Sequence, residues 1–363
     1  MKMEIRAISI GELPEFIASE TFQHMDPVPI TPERAISQSR NPRARPEDPA
    51  LWIAESDQGE VLGFIGSLPA YDVHNRRRLG YNSGWWVDPE HGRNAALPLF
   101  SSFLSYWDGQ VAFADMTPST HAIIRQLGFC HTRTQKLFQG YIRLSRRRLA
   151  KRTGKGAGIL SMLLVPAAGF LNLVQRARLS LAVCMKSPLT MESREGIDEE
   201  ICSFISSHQK KDFLQRSPED YRWIEAYSWL RKREKGPIQD EGRYPFSHDV
   251  FDFQRDWLIS RRDGVITSVM MTSRRDGDLK VLYYFGDRPL DAMNILKYRI
   301  LRDRSTGSLI LDHPRLMEHT GKLRSICFFS RLRTRYVGVS SKVLGELPED
   351  LVIQLGDGDA VFT

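Results

Sequence analysis

The segment Trp85–Phe100, "WWVDPEHGRNAALPLF", passes from a strand-like run into a helix-like one through a turn holding Pro89, Gly92, Arg93 and Asn94, with no acidic residue after Glu90. The first N–H groups of a helix lack partners within it and sit at the positive end of its dipole, so such a junction suits an anion, often a phosphate. Glycine there lets the backbone approach closely. Two more polar residues stand where chemistry could occur. Asp115 closes the strand "VAFAD", and Tyr81 opens the strand that feeds the turn. Asp115 could equally cap the next helix, and Tyr81 could edge a sheet.

These residues need elements to position them. Residues 1–145 alternate strand and helix signals: the strand "MEIRAISI", the helix "GELPEFIASETF", a hairpin of "LWIAES" and "VLGFIGSLPAY" across "DQGE", and the strand "YNSGWWV". Then come the helix "AALPLFSSFLSYW", the strand "VAFAD", the helix "THAIIRQLG" stopped at Gly128, and the strands "FCHTRT" and "KLFQGYIRL". Apolar residues three and four apart, such as Leu97, Phe100 and Leu104, carry the helix assignments. The order predicts a mixed α/β domain on a largely antiparallel sheet. Residues 187–363 repeat it, with helices "IDEEICSFISSH" and "PEDYRWIEAYSWL", a hairpin over "DG", the strand "LKVLYYFG", the helix "LDAMNILKYRILRDR" and the strand "SLILDH". The repeat is one of pattern, without residue-level identity between the halves.

A chain of 363 residues with 41% hydrophobic content is long for a single core, so two domains are expected, 1–145 and 187–363, joined by a linker over 146–186. The net charge of +7 is unevenly spread: residues 116–191 carry thirteen Lys or Arg and no acid, and the remainder is net acidic. Aromatics are not interleaved with these bases, and no helix-turn-helix or zinc-finger pattern occurs, so no specific nucleic-acid partner is expected. The apolar run 157–174, "AGILSMLLVPAAGFLNLV", has Pro166 within it and bases on both sides. It reads either as inter-domain helix or as peripheral contact with a membrane through residues 143–178. Cys130, Cys184, Cys202 and Cys327 show no metal-ligand spacing, and the N-terminus has no signal-peptide pattern. A cytoplasmic protein with reduced, buried cysteines is expected, and on the peripheral reading of residues 143–178 it would touch the membrane at its inner face.

The succession "LWIAESDQGEVLGFIGSLPAY", "WWVDPEHGRNAALPLF" and "STHAIIRQLGF" resembles the GCN5-related N-acetyltransferase superfamily over residues 1 to about 142. The second half resembles a more degenerate copy, as in tandem members. The resemblance implies two acetyltransferase-like domains, each a mostly antiparallel sheet flanked by helices. It also implies N-acyl transfer from acetyl-coenzyme A or another acyl-coenzyme A to an amine, on a small molecule or sugar such as an envelope-sugar precursor, without a metal. Coenzyme would lie along Trp86 and Val87, with its pyrophosphate on the N–H groups from His91 through Gly92, Arg93, Asn94 and Ala95 to Ala96. His91 stands where the family has Arg or Gln, Asn94 where it has Gly, and Ile124 where it often has a tyrosine acid. Asp115 and Tyr81 are then the polar residues expected nearest the reacting centre. The turn "GDRPLDAM" in the second half lacks the glycine spacing, so coenzyme is expected in the first half only, with the second shaping the acceptor pocket. Two alternatives stand beside this: a non-catalytic binding or scaffold protein that kept the fold, and a tandem transferase using an aminoacyl or acyl carrier docked by the basic segment.

Overall fold

A computed structural model describes residues 3–72, 77–144, 169–175, 177, 179, 190–233 and 243–363. The basic stretch from residue 145, most of the apolar run and Cys184 lie outside the described residues. The chain gathers into two compact units that do not follow sequence order. Residues 1–135, 209–251 and 335–363 form the first, and 136–208 with 252–334 the second. The division expected at 145 and 187 runs in chain order, whereas segments 209–251 and 335–363 return to the first unit.

In the first unit the chain runs β1 (Met3–Ser9), α1 (Leu13–Ala18), α2 (Glu20–His24), α3 (Pro32–Ser39), β2 (Pro49–Ser56), β3 (Val61–Asp72), β4 (Arg77–Val87), α4 (Ala96–Tyr106), β5 (Val111–Met116) and α5 (Pro118–Leu127). The single helix expected over 11–22 is broken at Ser19, whose extended backbone and side chain cap α2 through the Phe22 N–H. Next, β6 (Cys130–Tyr141) is one strand where two were expected, because its backbone stays extended through Gln135 and Lys136. β1 to β5 lie in sequential order, antiparallel except for the parallel pair β4 and β5. Beyond β5 the sheet is completed by the end of β14 (Phe329–Ser340), paired as Tyr336 with Met116 and Val339 with Ala112.

The second unit has β7 (Thr190–Arg194), α6 (Glu199–His208), β10 (Phe253–Arg262), β11 (Val265–Arg275), β12 (Asp278–Gly286), α8 (Pro289–Arg302) and β13 (Ser308–Leu311). α7 (Pro218–Ala226) and the short pair β8 (Arg231–Lys232) and β9 (Asp249–Val250) belong to the first unit. Here too neighbours are antiparallel except one pair, β12 with β13, and β13 is flanked by β6 residues Phe138 to Tyr141. The two sheets therefore share a plan: hairpins, one parallel pair, and a last strand from the other half of the sequence. The core of this unit centres on Phe138, Met270, Leu296 and Leu309.

Among the described residues no helix is long and apolar enough to cross a membrane. The described tail of the apolar run is helical over 169–175. There Asn172 both accepts from the Leu144 N–H and donates to its carbonyl, and Gln175 donates to the Ile326 carbonyl.

Candidate active site

β4 and β5 pair only through Gly80, Tyr81 and Asn82, opposite Val111, Ala112 and Phe113. Beyond that point the strands diverge. β3 and β4 shift register between Ile65 and Ser67, and Gly84 takes φ +81°, a bulge that turns β4 away from its parallel neighbour. On the other side Asp115 has φ +58°, in the left-handed region that aspartate enters more readily than most non-glycine residues, and this turns the chain out of β5. From Gly84 to Val87 the edge of β4 has no pairing with β5 among the described residues, which leaves it open to a third, extended partner.

This wedge opens into a cavity of about 540 Å³, a volume suited to a small ligand. Asn82, Trp85 and Val87 of β4 line one wall, and Asp115, Ser119 and Ile123 another. A third comes from the second half of the sequence, at Trp229, Tyr244, Phe246 to His248, and Asp359. All of these residues belong to the first unit. This third wall is thus built by chain that follows residue 208, through the return of 209–251 and 335–363.

The residues singled out from sequence fall in different places. Asp115 is exposed on the cavity wall; Thr117, not Asp115, caps α5 by accepting from the Thr120 N–H. Val87 and Ala96 also line the cavity. Trp86 instead stacks on Phe64 at 5.7 Å, while its neighbour Trp85 faces the cavity and stacks on Phe100 at 5.1 Å. Tyr81 is 1% exposed, packed against Phe213 and Gly358, and does not line the cavity. Ile124, in the position of the family's tyrosine, is fully buried, and it is Ile123 that meets the cavity.

The turn before α4 is a short 3₁₀ segment, Gly92–Asn94. The Asp88 carboxylate accepts from the N–H groups of His91 at 2.6 Å and Glu90 at 2.8 Å, which hold it below the ordinary carboxylate range. Gly92 donates to the Asp88 carbonyl, and Ala95 to the Gly92 carbonyl. Of the six N–H groups assigned to phosphate by resemblance, those of His91, Gly92 and Ala95 already have partners in this structure. Gly92 also points inward, where a Cβ would collide with the Leu62 carbonyl. Arg93 and Asn94 are exposed at the outer face of the turn, and His91 lies open beside Asp88, 3.4 Å away.

One cavity residue lay outside the sequence reading. Arg34, on α3, is 4% exposed and lines the cavity. Its Nη1 donates to the Tyr244 hydroxyl at 3.0 Å and its Nη2 to the Ser83 hydroxyl at 2.7 Å and the Ser83 carbonyl. Its guanidinium lies 4.5 Å from the Trp229 ring centre, and Trp229 stacks in turn on Phe362 at 4.6 Å. None of these partners carries a negative charge. A desolvated cation costs several kcal/mol, of which stacking on tryptophan returns about 2 kcal/mol. Two glycines make the space: a Cβ on Gly66 would strike Arg34 and the Ser83 carbonyl, and one on Gly84 would press on Nη1 at 3.2 Å. No spacing signal marks Arg34 in "TPERAIS", because the buried face of α3 is Arg34, Ala35, Ser37 and Gln38 and has no apolar period.

The second unit has the same divergence in another state. β12 and β13 pair only at Asp278 to Lys280 with Ser308 to Ile310. Beyond, Tyr284 and His313 meet edge to face at 4.8 Å, both buried. Asp287 in the turn before α8 and Asp291 in the first turn of α8 are bound by Arg315 at 3.1 Å and Arg262 at 3.1 Å, so acids stand where a phosphate would need donors.

This arrangement, a mostly antiparallel sheet with one diverging parallel pair and a helix starting from the first of those strands, is the fold of the GCN5-related N-acetyltransferases, here in tandem. A solved structure from Pyrococcus horikoshii, assigned as an acetyltransferase, matches over 98% of this chain and 96% of its own, with a TM-score of 0.50 at 11% identity. The Saccharomyces cerevisiae N-myristoyltransferase with bound myristoyl-CoA matches over 99% and 84%, with a TM-score of 0.49 at 10% identity. A GCN5-related N-acetyltransferase from Anabaena variabilis matches over 93% and 72%, with a TM-score of 0.46 at 10% identity. No protein-family model matches the sequence, and no curated protein matches it.

Proposed function

We propose that the first unit is an N-acyltransferase that moves an acyl group from acyl-coenzyme A to an amine. The observation that carries this reading is the wedge between β4 and β5, where the edge of β4 from Gly84 to Val87 has no pairing with β5 and opens onto Asp115. The pantetheine arm of coenzyme A is an extended chain with two amides, and it fits such an edge as an added strand. Its pyrophosphate then reaches the outer face of the turn at Arg93 and Asn94 and the start of α4.

The amine attacks the thioester carbonyl, the C–S bond breaks, and the amine proton leaves. Asp115 is the acceptor of that proton, directly or through a water. The departing sulfur faces the N-terminus of α5, where the Ser119 and Thr120 side chains and the helix dipole favour a thiolate until it takes a proton. These groups take the place of the tyrosine that Ile124 cannot supply. The second unit, its divergence holding Tyr284 and His313, takes no coenzyme on this reading.

Titration calorimetry with acetyl-coenzyme A tests the assignment. The wild type is expected to bind one equivalent, and Asn94→Asp, which sets a carboxylate beside the phosphates, to bind about tenfold more weakly. A chain that takes up no acyl-coenzyme A, or an Asn94→Asp variant of unchanged affinity, contradicts the wedge and the turn respectively.

A further inference from the structure

Resting on the acyltransferase reading of the cavity, we propose that Arg34 binds an anionic group on the acceptor, and that the acceptor is an amine carrying its own carboxylate, of the amino-acid class. Arg34 is 4% exposed, and its hydrogen-bond partners Ser83 and Tyr244 and its stacking partner Trp229 are all uncharged. Among the described residues no carboxylate comes within ion-pair distance of it. Other guanidiniums differ in this: the half-buried Arg43 meets Asp220, and the buried Arg274 meets Asp252 and Asp303. A cation kept dry without a counter-ion, in a place cleared by Gly66 and Gly84, is a receptor for a negative group that arrives with a ligand.

The coenzyme phosphates do not supply that group. Arg34 is anchored at Ser83, where β4 leaves β5, whereas the turn begins after Val87. At about 3.3 Å per residue, four residues of strand set the two places roughly 13 Å apart. The anion at Arg34 therefore sits at the acyl end of the wedge, with the acceptor. The same cavity is lined by Asp115 at the end of β5. One lining residue, Arg34, selects an anion and another, Asp115, a cation. A zwitterion satisfies both, with its carboxylate on Arg34 and its amine toward Asp115, while a neutral amino sugar leaves Arg34 without a counter-ion.

The test measures thiol release from acetyl-coenzyme A with four acceptor sets: amino acids, the matching amino-acid amides, aminoalkyl phosphates and amino sugars. Amino acids are expected to exceed their amides by on the order of 10- to 100-fold in kcat/KM, the worth of a charge-assisted hydrogen bond. Arg34→Gln should erase that preference while leaving acetyl-coenzyme A affinity unchanged, and Arg34→Lys should restore part of it. Thermal stabilisation of the wild-type, coenzyme-loaded protein by N-acetyl amino acids, but not by their amides, is expected as well and needs no variant. Equal use of acids and amides, a preference for phosphates or sugars, or equal stabilisation by both product forms overturns the proposal. Absence of acetyl-coenzyme A binding would instead strike the acyltransferase reading beneath it.

Discussion

At the scale of single residues, the sequence makes the turn and Asp115 visible, whereas the buried charge is hidden. The place of Asp115 on the cavity wall is legible because it ends a strand before a helix start. Arg34 is an arginine in a polar helix until Trp229, Tyr244 and Ser83, distant in sequence, close round it. His313 is similar. Burial, together with the nearby Arg315 charge, pushes its imidazole down to about 3, and its Nδ1 has no hydrogen-bond partner among the described residues. The folded state thus holds His313 neutral while the unfolded chain protonates near pH 6.5. Its contribution is complete above that pH and falls as pH drops toward 3, by about 1.4 kcal/mol per unit once the unfolded histidine is charged. Urea unfolding from pH 7.5 to 4.5 should show a slope for the wild type exceeding that of His313→Asn by up to one proton. Identical slopes would mean that His313 titrates normally in the folded protein.

At the scale of elements, hairpins and amphipathic helices are legible because their periodicity is local. The hairpins β2–β3 and β10–β11, the helices α4, α5 and α8, and the left-handed Gly128 ending α5 are all foreseen. α3 is not, for want of an apolar face, and neither are β7 and β14. β14 has exposed Arg331 and Arg333 in its first half and buried Val337 and Val339 in its second, so no single alternation describes it. Long-range clamps are equally silent. α7 is held to the loop after α3 by Arg43, whose Nε and Nη2 donate to the two Asp220 oxygens at 2.7 and 2.5 Å. Burial alone would raise the Asp220 carboxyl, but the Arg43 pair, with Arg216 nearby, keeps it below the ordinary carboxylate range. Asp220 also closes a capping box with Ser217. Arg43→Ala leaves a buried carboxylate without its main partner and should cost about 3 kcal/mol in urea unfolding. Asp220→Asn keeps the cap and removes the charge, and should cost less. A larger loss for Asp220→Asn than for Arg43→Ala would show that the cap, not the ion pair, holds α7.

At the scale of the whole molecule, the repeat read from element order is real in plan but does not divide where the sequence repeats. Each unit finishes its sheet with a strand from the other half: residues 335–340 beside β5, and residues 138–141 beside β13. The first unit also takes its Trp229 stack and its Asp359 wall from residues after 208. Element order cannot reveal this, because a strand's own alternation says which face is buried and not which sheet receives it. The consequence concerns independence. A fragment of residues 1–145 loses the partner of β5 and with it the buried Val337 and Val339. At roughly 1.5–3 kcal/mol for each such side chain, two of them approach the few kcal/mol that separate a folded domain from its unfolded chain. The exposed edge of β5 would also invite aggregation. The fragment 1–145 alone should therefore show no cooperative thermal transition and no acetyl-coenzyme A binding, and truncation after residue 334 should abolish binding in the long chain. If 1–145 instead melts cooperatively and binds coenzyme, the returning strand merely decorates a self-sufficient fold, and the exchange of segments would have to be explained by the acceptor site it builds rather than by stability.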